Sequence, residues 1–194
     1  MLLLWAMASG THDAYADAHS SSYSHHHANY HNKPVPRQAK GKKHASRTKH
    51  ITIDDSLEYM QCMKRITKHY DIPLGVFYGM AKTEAGWIGL YRPNKRKRDG
   101  TRTYDMGLMQ INSAWLKILG NKFHLSAKSI ADNGCLNILI AAKIYDYERK
   151  MIQRKHPRRK VSVWDVVGNY HSKSRSLQAK YVKKVVNNMM RHGA

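Results

Sequence analysis

The sequence predicts an α+β fold that is mostly helical, with one small sheet or hairpin. Three observations predict it. Apolar residues recur at helical spacing in three windows, residues 57–70, 135–153 and 177–189. Helix-start and turn signals bound those windows, among them Asp54-Asp55-Ser56, Pro73, Ser162 and Asp132-Asn133-Gly134. One segment, residues 104–111, reads as extended. At 194 residues and 42% hydrophobic, the chain can hold one domain with a good core and a tail.

The folded part begins near Ile51. Asp54, Asp55 and Ser56 place acceptors where the first free N–H groups of a helix need them. Leu57, Met60, Met63, Ile66 and Tyr70 follow as its apolar stripe, with Cys62 beside them. Pro73 starts a second helix, since its fixed φ suits a first turn. That helix is expected to reach about Glu84 and to close at Gly86.

Residues 91–102 read as a highly charged loop turning at Asp99-Gly100. The extended segment leads into a short helix from Asn112-Ser113 to Gly120. A second short helix covers residues 126–130. The longest helix, residues 135–153, is expected to bury Leu136, Ile140, Ile144, Tyr147 and Met151. Residues 154–160 form a basic loop interrupted by Pro157. Ser162 caps a helix over residues 163–170, and Leu177, Tyr181, Val185 and Met189 mark the last one.

Residues 1–18 are read as a signal peptide: an apolar start followed by A-x-A sites at residues 14–18, although no Lys or Arg precedes Lys33. Residues 19–50 are rich in His, Ser, Lys and Asn and lack any period, which reads as a flexible linker. His25, His26 and His27 have no Cys or acidic partner at ligand spacing, so the linker is read as a solvated spacer. No metal and no cofactor are expected. No run is long enough to cross a bilayer as an ordinary helix. The formal net charge of +21 implies a polyanionic partner: nucleic acid, an anionic lipid surface or a cell wall.

Glu84 is the residue with the most chemistry in it. It is the sole acid between Asp71 and Asp99, and its neighbours Ala81, Ala85, Trp87 and Ile88 are small or apolar. Burial there would raise its pKa above the free value of about 4.3. A carboxylic acid kept protonated near neutrality can donate to a leaving oxygen. The competing reading is a rim glutamate paired with Lys82 or a loop cation.

The residues around Glu84 carry a resemblance. Thr83-Glu84-Ala85-Gly86-Trp87, then Gly107-Leu108-Met109-Gln110-Ile111-Asn112 after Tyr104-Asp105, then Cys135-Leu136-Asn137-Ile138 running into Ala141-Ala142, then Gly168-Asn169-Tyr170-His171-Ser172, resemble in order the four motifs of the lysozyme-like lytic transglycosylases. The resemblance spans residues 53–186 and leaves out the first fifty. It is nearest to the small members that accompany type III and type IV secretion and conjugation systems.

The resemblance implies a lysozyme-like domain over residues 51–194 and a peptidoglycan substrate. It implies Glu84 as the catalytic group, with Gln110, Met109, Asn112 and Tyr170 toward the sugar. Gln110 suits an N-acetyl or hydroxyl group, Met109 the cleft floor, and Tyr170 a bond that orients Glu84. Each has a plainer role open to it: Met109 in the core, Asn112 as a helix cap, Tyr170 as a satisfied buried aromatic. Relatives carry cysteines in the same helices, which with an even count in an exported chain implies a Cys62–Cys135 disulfide. The basic loop flanks the cleft in the family, where its cations would meet acidic stem peptides or phosphates. The chain is then an exported monomer of periplasm or cell wall, opening it for a secretion or conjugation machine.

Ordinary glycosidases use two carboxylates. The family manages with one, forming a 1,6-anhydro sugar. One departure stands out: Ala85 takes the place of the family's Ser. The alternative function is a non-catalytic basic module that binds glycan or nucleic acid on the same scaffold. A lysozyme-type hydrolase would differ in its product alone.

Overall fold

The computed structural model describes residues 50–120 and 125–192. The expected signal peptide, residues 1–18, and residues 19–49 of the expected linker lie outside them.

A 3-10 turn, Ile53–Asp55, opens the described chain; the Asp55 carboxylate accepts from both the Thr52 N–H and its hydroxyl. Ser56 then caps α1, Leu57–Tyr70, by accepting from Tyr59 N. The inward face is Cys62, Met63, Ile66 and Thr67, while Leu57 is 76% exposed and drops out of the expected stripe. Helix α2 is Leu74–Glu84. Its left-handed closing residue is Ala85, φ 49°, rather than the expected Gly86. Gly86 is needed for a different reason: a Cβ there would overlap the Gly107 and Leu108 carbonyls.

Three short strands form one antiparallel sheet in the order β1 (Tyr91–Pro93), β2 (Tyr104–Met106), β3 (Ile111–Asn112). Arg92 lies opposite Asp105, and Asp105 opposite Asn112. The charged segment expected to be all loop is therefore a hairpin, anchored by its first residues. After β3 the chain enters a π-helical turn, Leu116–Gly120.

Helix α3 is Ala127–Asp132 and α4 is Gly134–Lys155, capped by Asn133 through Leu136 N. Helix α4 buries more than one face: Cys135, Asn137, Ile138, Ile140, Ala141, Ala142, Ile144, Tyr145, Glu148 and Ile152. Of the expected stripe, Ile140 and Ile144 are in the core, Tyr147 is exposed, and Leu136 and Met151 sit at its margin. A central helix touched from several sides loses the single-stripe pattern that a surface helix shows. Ser162 caps α5, Val163–His171, and α6 is Arg175–His192.

The core joins α1, α2, α4, α5 and α6 to the buried side of the sheet, with Phe77, Met63, Met80, Met106, Leu108, Met109 and Ile138 fully enclosed. The Cys62–Cys135 disulfide ties α1 to α4, with Cα atoms 5.6 Å apart. Helices α2 and α6 pack most extensively. Gly79 permits it, since a Cβ there would stand 2.9 Å from the Val185 carbonyl oxygen. No helix among the described residues is long and apolar enough to cross a membrane.

Candidate active site

A cleft of about 470 Å³ opens between the sheet, the end of α2, α4 and the α5 terminus. Glu84, Asp105, Gln110, Asn112, Glu148, Tyr170 and His171 are among the residues that line it.

Glu84 stands at the last position of α2, half-buried. The Tyr181 hydroxyl donates to its Oε1 at 2.6 Å. Burial pushes the Glu84 carboxyl up to about 7; the Tyr181 bond pulls it down, Asp105 pushes it further up, and Arg92 and Lys184 pull it down. Desolvation wins because the helix end and α6 replace most of the water around the acid. The acid is therefore poised to hold a proton or release it near neutrality. The rim salt bridge with Lys82 does not form: Lys82 pairs with Asp54.

The orienting hydroxyl was expected from Tyr170. Instead Tyr170 donates to the Met109 carbonyl at 3.1 Å. Burial first, then the charges of Glu84 and Asp105, hold the Tyr170 hydroxyl well above the usual range, and the same burial and Glu84 do so for Tyr181. Tyr181 is 4% exposed and sits on the apolar stripe of α6, so periodicity alone presents it as core. Its phenol packs flat against the His171 ring, centroids 4.3 Å apart and planes 2° from parallel. Burial and Lys184 hold His171 below the usual histidine range, against Asp105.

The turn at residues 107–110 brings Gln110 to the cleft. Gly107 has φ 67°, and a Cβ there would collide with the Asn137 amide. Asn137, fully buried, accepts from Met109 N at 2.7 Å and donates to the Met106 and Ile130 carbonyls at 3.0 and 2.9 Å. One amide thus satisfies three backbone groups that a buried turn would leave stranded. In the sequence, Asn137 stands only as part of the Cys135-Leu136-Asn137-Ile138 motif; the signal of its role is an amide on an apolar helix face.

Gln110 has φ 47°, an uncommon conformation for a residue with a side chain. Its Nε2 donates to the Gly107 carbonyl at 2.8 Å, and its buried Oε1 has no partner among the described residues. Such an acceptor costs about 1–3 kcal/mol if left unpaired. Met109 departs from expectation. It is fully buried and does not line the cleft; its contribution is the carbonyl that holds Tyr170.

Asn112 has the capping role as well as a place in the lining. Its Oδ1 accepts from Ala114 N at 3.0 Å, and its Nδ2 donates to Asp105 at 2.7 Å. Asn94 also donates to Asp105, at 3.1 Å. Glu148 is paired with Lys173. Two of the three lining carboxylates are thus committed to structural partners of their own, while Glu84 has one neutral hydroxyl. Among the described residues no group of His, Cys, Asp and Glu side chains could hold a metal ion.

A family model for the transglycosylase SLT domain matches residues 61–185. No match was found among curated proteins. The matched span covers well over half of the chain and contains Glu84, the turn at residues 107–112, Tyr170 and Tyr181. The chain belongs to the transglycosylase SLT domain family, whose members are lytic transglycosylases acting on peptidoglycan.

Proposed function

We propose that this chain is a peptidoglycan lytic transglycosylase with Glu84 as its single catalytic acid and base. The observation that carries the reading is Glu84 itself: a cleft carboxyl titrating near neutrality, held by a hydroxyl from another helix.

Tyr181 occupies Oε1, which leaves Oε2 to carry the proton. The protonated acid gives it to the oxygen between N-acetylmuramic acid and N-acetylglucosamine. The bond from that oxygen to the muramyl C1 breaks, and the N-acetylglucosamine leaves as an alcohol. The developing positive centre at C1 is assisted by the neighbouring N-acetyl carbonyl. The carboxylate then takes the proton from the muramyl C6 hydroxyl as that oxygen closes on C1. A 1,6-anhydro sugar forms, no water is consumed, and Glu84 is again protonated. Intramolecular attack gains from proximity. The engagement of Asp105 by Asn94 and Asn112, and of Glu148 by Lys173, favours a one-acid scheme. Gln110 lines the cleft, and its side-chain amide suits an N–H or O–H of the sugar.

Residues 51–194 form the catalytic domain in this reading, residues 1–18 a signal peptide and residues 19–50 a spacer. The protein acts as an exported monomer in the periplasm or at the wall, opening it for a secretion or conjugation machine. The disulfide suits an oxidising compartment.

The test is digestion of purified sacculi with analysis of the products. Anhydromuropeptides are expected, and Glu84→Gln should abolish them. Reducing-end products without anhydro sugars would assign a hydrolase. No cleavage together with tight, salt-sensitive DNA binding would assign a binding module.

A further inference from the structure

We propose that His171 is a positioning residue for Glu84: its imidazole, laid flat on the Tyr181 ring, holds the phenol whose hydroxyl orients the acid. This rests on the reading of Glu84 given above.

A hydrogen bond of 2.6 Å fixes how far the Tyr181 hydroxyl stands from Glu84 Oε1, but not the tilt of the ring behind it. A neighbour laid against the face of the ring blocks that tilt. His171 is such a neighbour, with centroids 4.3 Å apart and planes 2° from parallel. It lines the cleft and is exposed, whereas Tyr181 is 4% exposed and is not among the lining residues. The imidazole therefore stands between the phenol and the cleft. Water there would otherwise compete for the bond to Glu84 and weaken it.

The imidazole is itself held. His171 is the last residue of α5, and Gln178 on α6 clasps the chain on both sides of it. The Gln178 Nε2 donates to Asn169 Oδ1 at 2.6 Å and to the Ser172 carbonyl at 2.9 Å. Gln178 and Tyr181 are three positions apart on one helix, so they share a face. Gly168 lets α6 come this close, since a Cβ there would stand 3.0 Å from the Gln178 Cβ. One corner between α5 and α6 thus sets both the clasp and the stack. A histidine in the last turn of a helix can also serve the helix dipole. That role needs the imidazolium, and burial and Lys184 hold His171 below its ordinary 6.5, against Asp105.

The experiment uses the full chain and two readouts: the NMR shift of the labelled Glu84 carboxyl carbon against pH, and the kinetics of glycan-strand cleavage. His171 is largely uncharged where Glu84 titrates, at about 7, and Asp105, Arg92 and Lys184 stay in place. A moved midpoint therefore reports the hydroxyl and not a lost charge. His171→Ala should raise the Glu84 midpoint and lower kcat about tenfold, with KM within about threefold. His171→Phe keeps a flat ring, so it should return the midpoint to that of the parent and kcat to within about threefold. In a Tyr181→Phe background His171→Ala should change neither, because the hydroxyl it positions is gone. Losses that multiply to about a hundredfold, or a Phe variant no better than the Ala variant, overturn the proposal. So does a raised KM with an unmoved midpoint, which would make His171 a sugar contact. A parent that cuts no glycan overturns the transglycosylase reading, and the carboxyl titration still decides the role of His171.

Discussion

Tyr181 and Glu84 are ninety-seven positions apart and joined by a 2.6 Å hydrogen bond. The bond links α6 to the end of α2, and the close approach at Gly79 makes it reachable. The catalytic acid of the proposed reaction is thus oriented by the last helix of the domain.

Tyr181→Phe tests that dependence. The hydroxyl lowers the Glu84 pKa, so its loss should raise that value above about 7. The alkaline limb of kcat/KM should move to higher pH, and its maximum should fall about tenfold as the acid loses its orientation. A fall in rate with an unmoved limb would show a packing role for Tyr181 and nothing more.

Glu84 should cost stability at neutral pH. Its carboxyl titrates at about 7 in the fold against an ordinary 4.5. Below 4.5 it is protonated in both states and costs nothing. Between 4.5 and about 7 the unfolded chain gains by ionising while the folded one does not, so stability falls, then levels off. Glu84→Gln should therefore be more stable than the parent at pH 8 by about 1–3 kcal/mol, with the gap closing by pH 4. Denaturant midpoints at the two pH values measure it.

Gln110→Met removes an unpaired buried acceptor together with one hydrogen bond to Gly107. The two effects offset in the free protein, so the melting temperature should move by only a few degrees. With substrate, the missing acceptor should raise KM about tenfold while kcat stays within about threefold. Unchanged KM would remove Gln110 from the substrate site.

Asn137→Ala leaves Met109 N and the Met106 and Ile130 carbonyls without their partner. A loss of about 3 kcal/mol or more is expected in chemical denaturation. The turn carrying Gln110 should loosen with it, seen as faster amide exchange at residues 107–110.

The disulfide closes a loop between residues 73 positions apart. In the chain-entropy model that is worth about 4 kcal/mol. The double variant Cys62→Ser, Cys135→Ser should melt at least about 10 °C lower. Mass spectrometry of the untreated protein should find no free thiol.

Much of the architecture was legible in the residues. Ser56, Ser126, Asn133 and Ser162 cap helices where hydroxyl and amide side chains precede an apolar run. Local chemistry sets such boundaries, so local sequence reveals them. The left-handed residue after α2 was misread because glycine is the usual choice there; Ala85 takes it because Gly86 is required against residues 107–108. The expected small sheet is present, but its first strand falls where a loop was expected, because three exposed residues, two of them Arg92 and Pro93, pair only once β2 lies beside them.

By itself, the sequence determined the helices and the lone acid at the end of α2, but not the turn at residues 107–110, which it read as part of one extended segment over residues 104–111. Those depend on neighbours a few positions away. Only the tertiary structure decided which hydroxyl holds Glu84, why Met109 is core, and that the Gln110 acceptor is buried without a partner among the described residues. Periodicity tells which side chains turn inward. What each one meets there depends on which helices close on each other, and that is fixed by contacts across the whole chain.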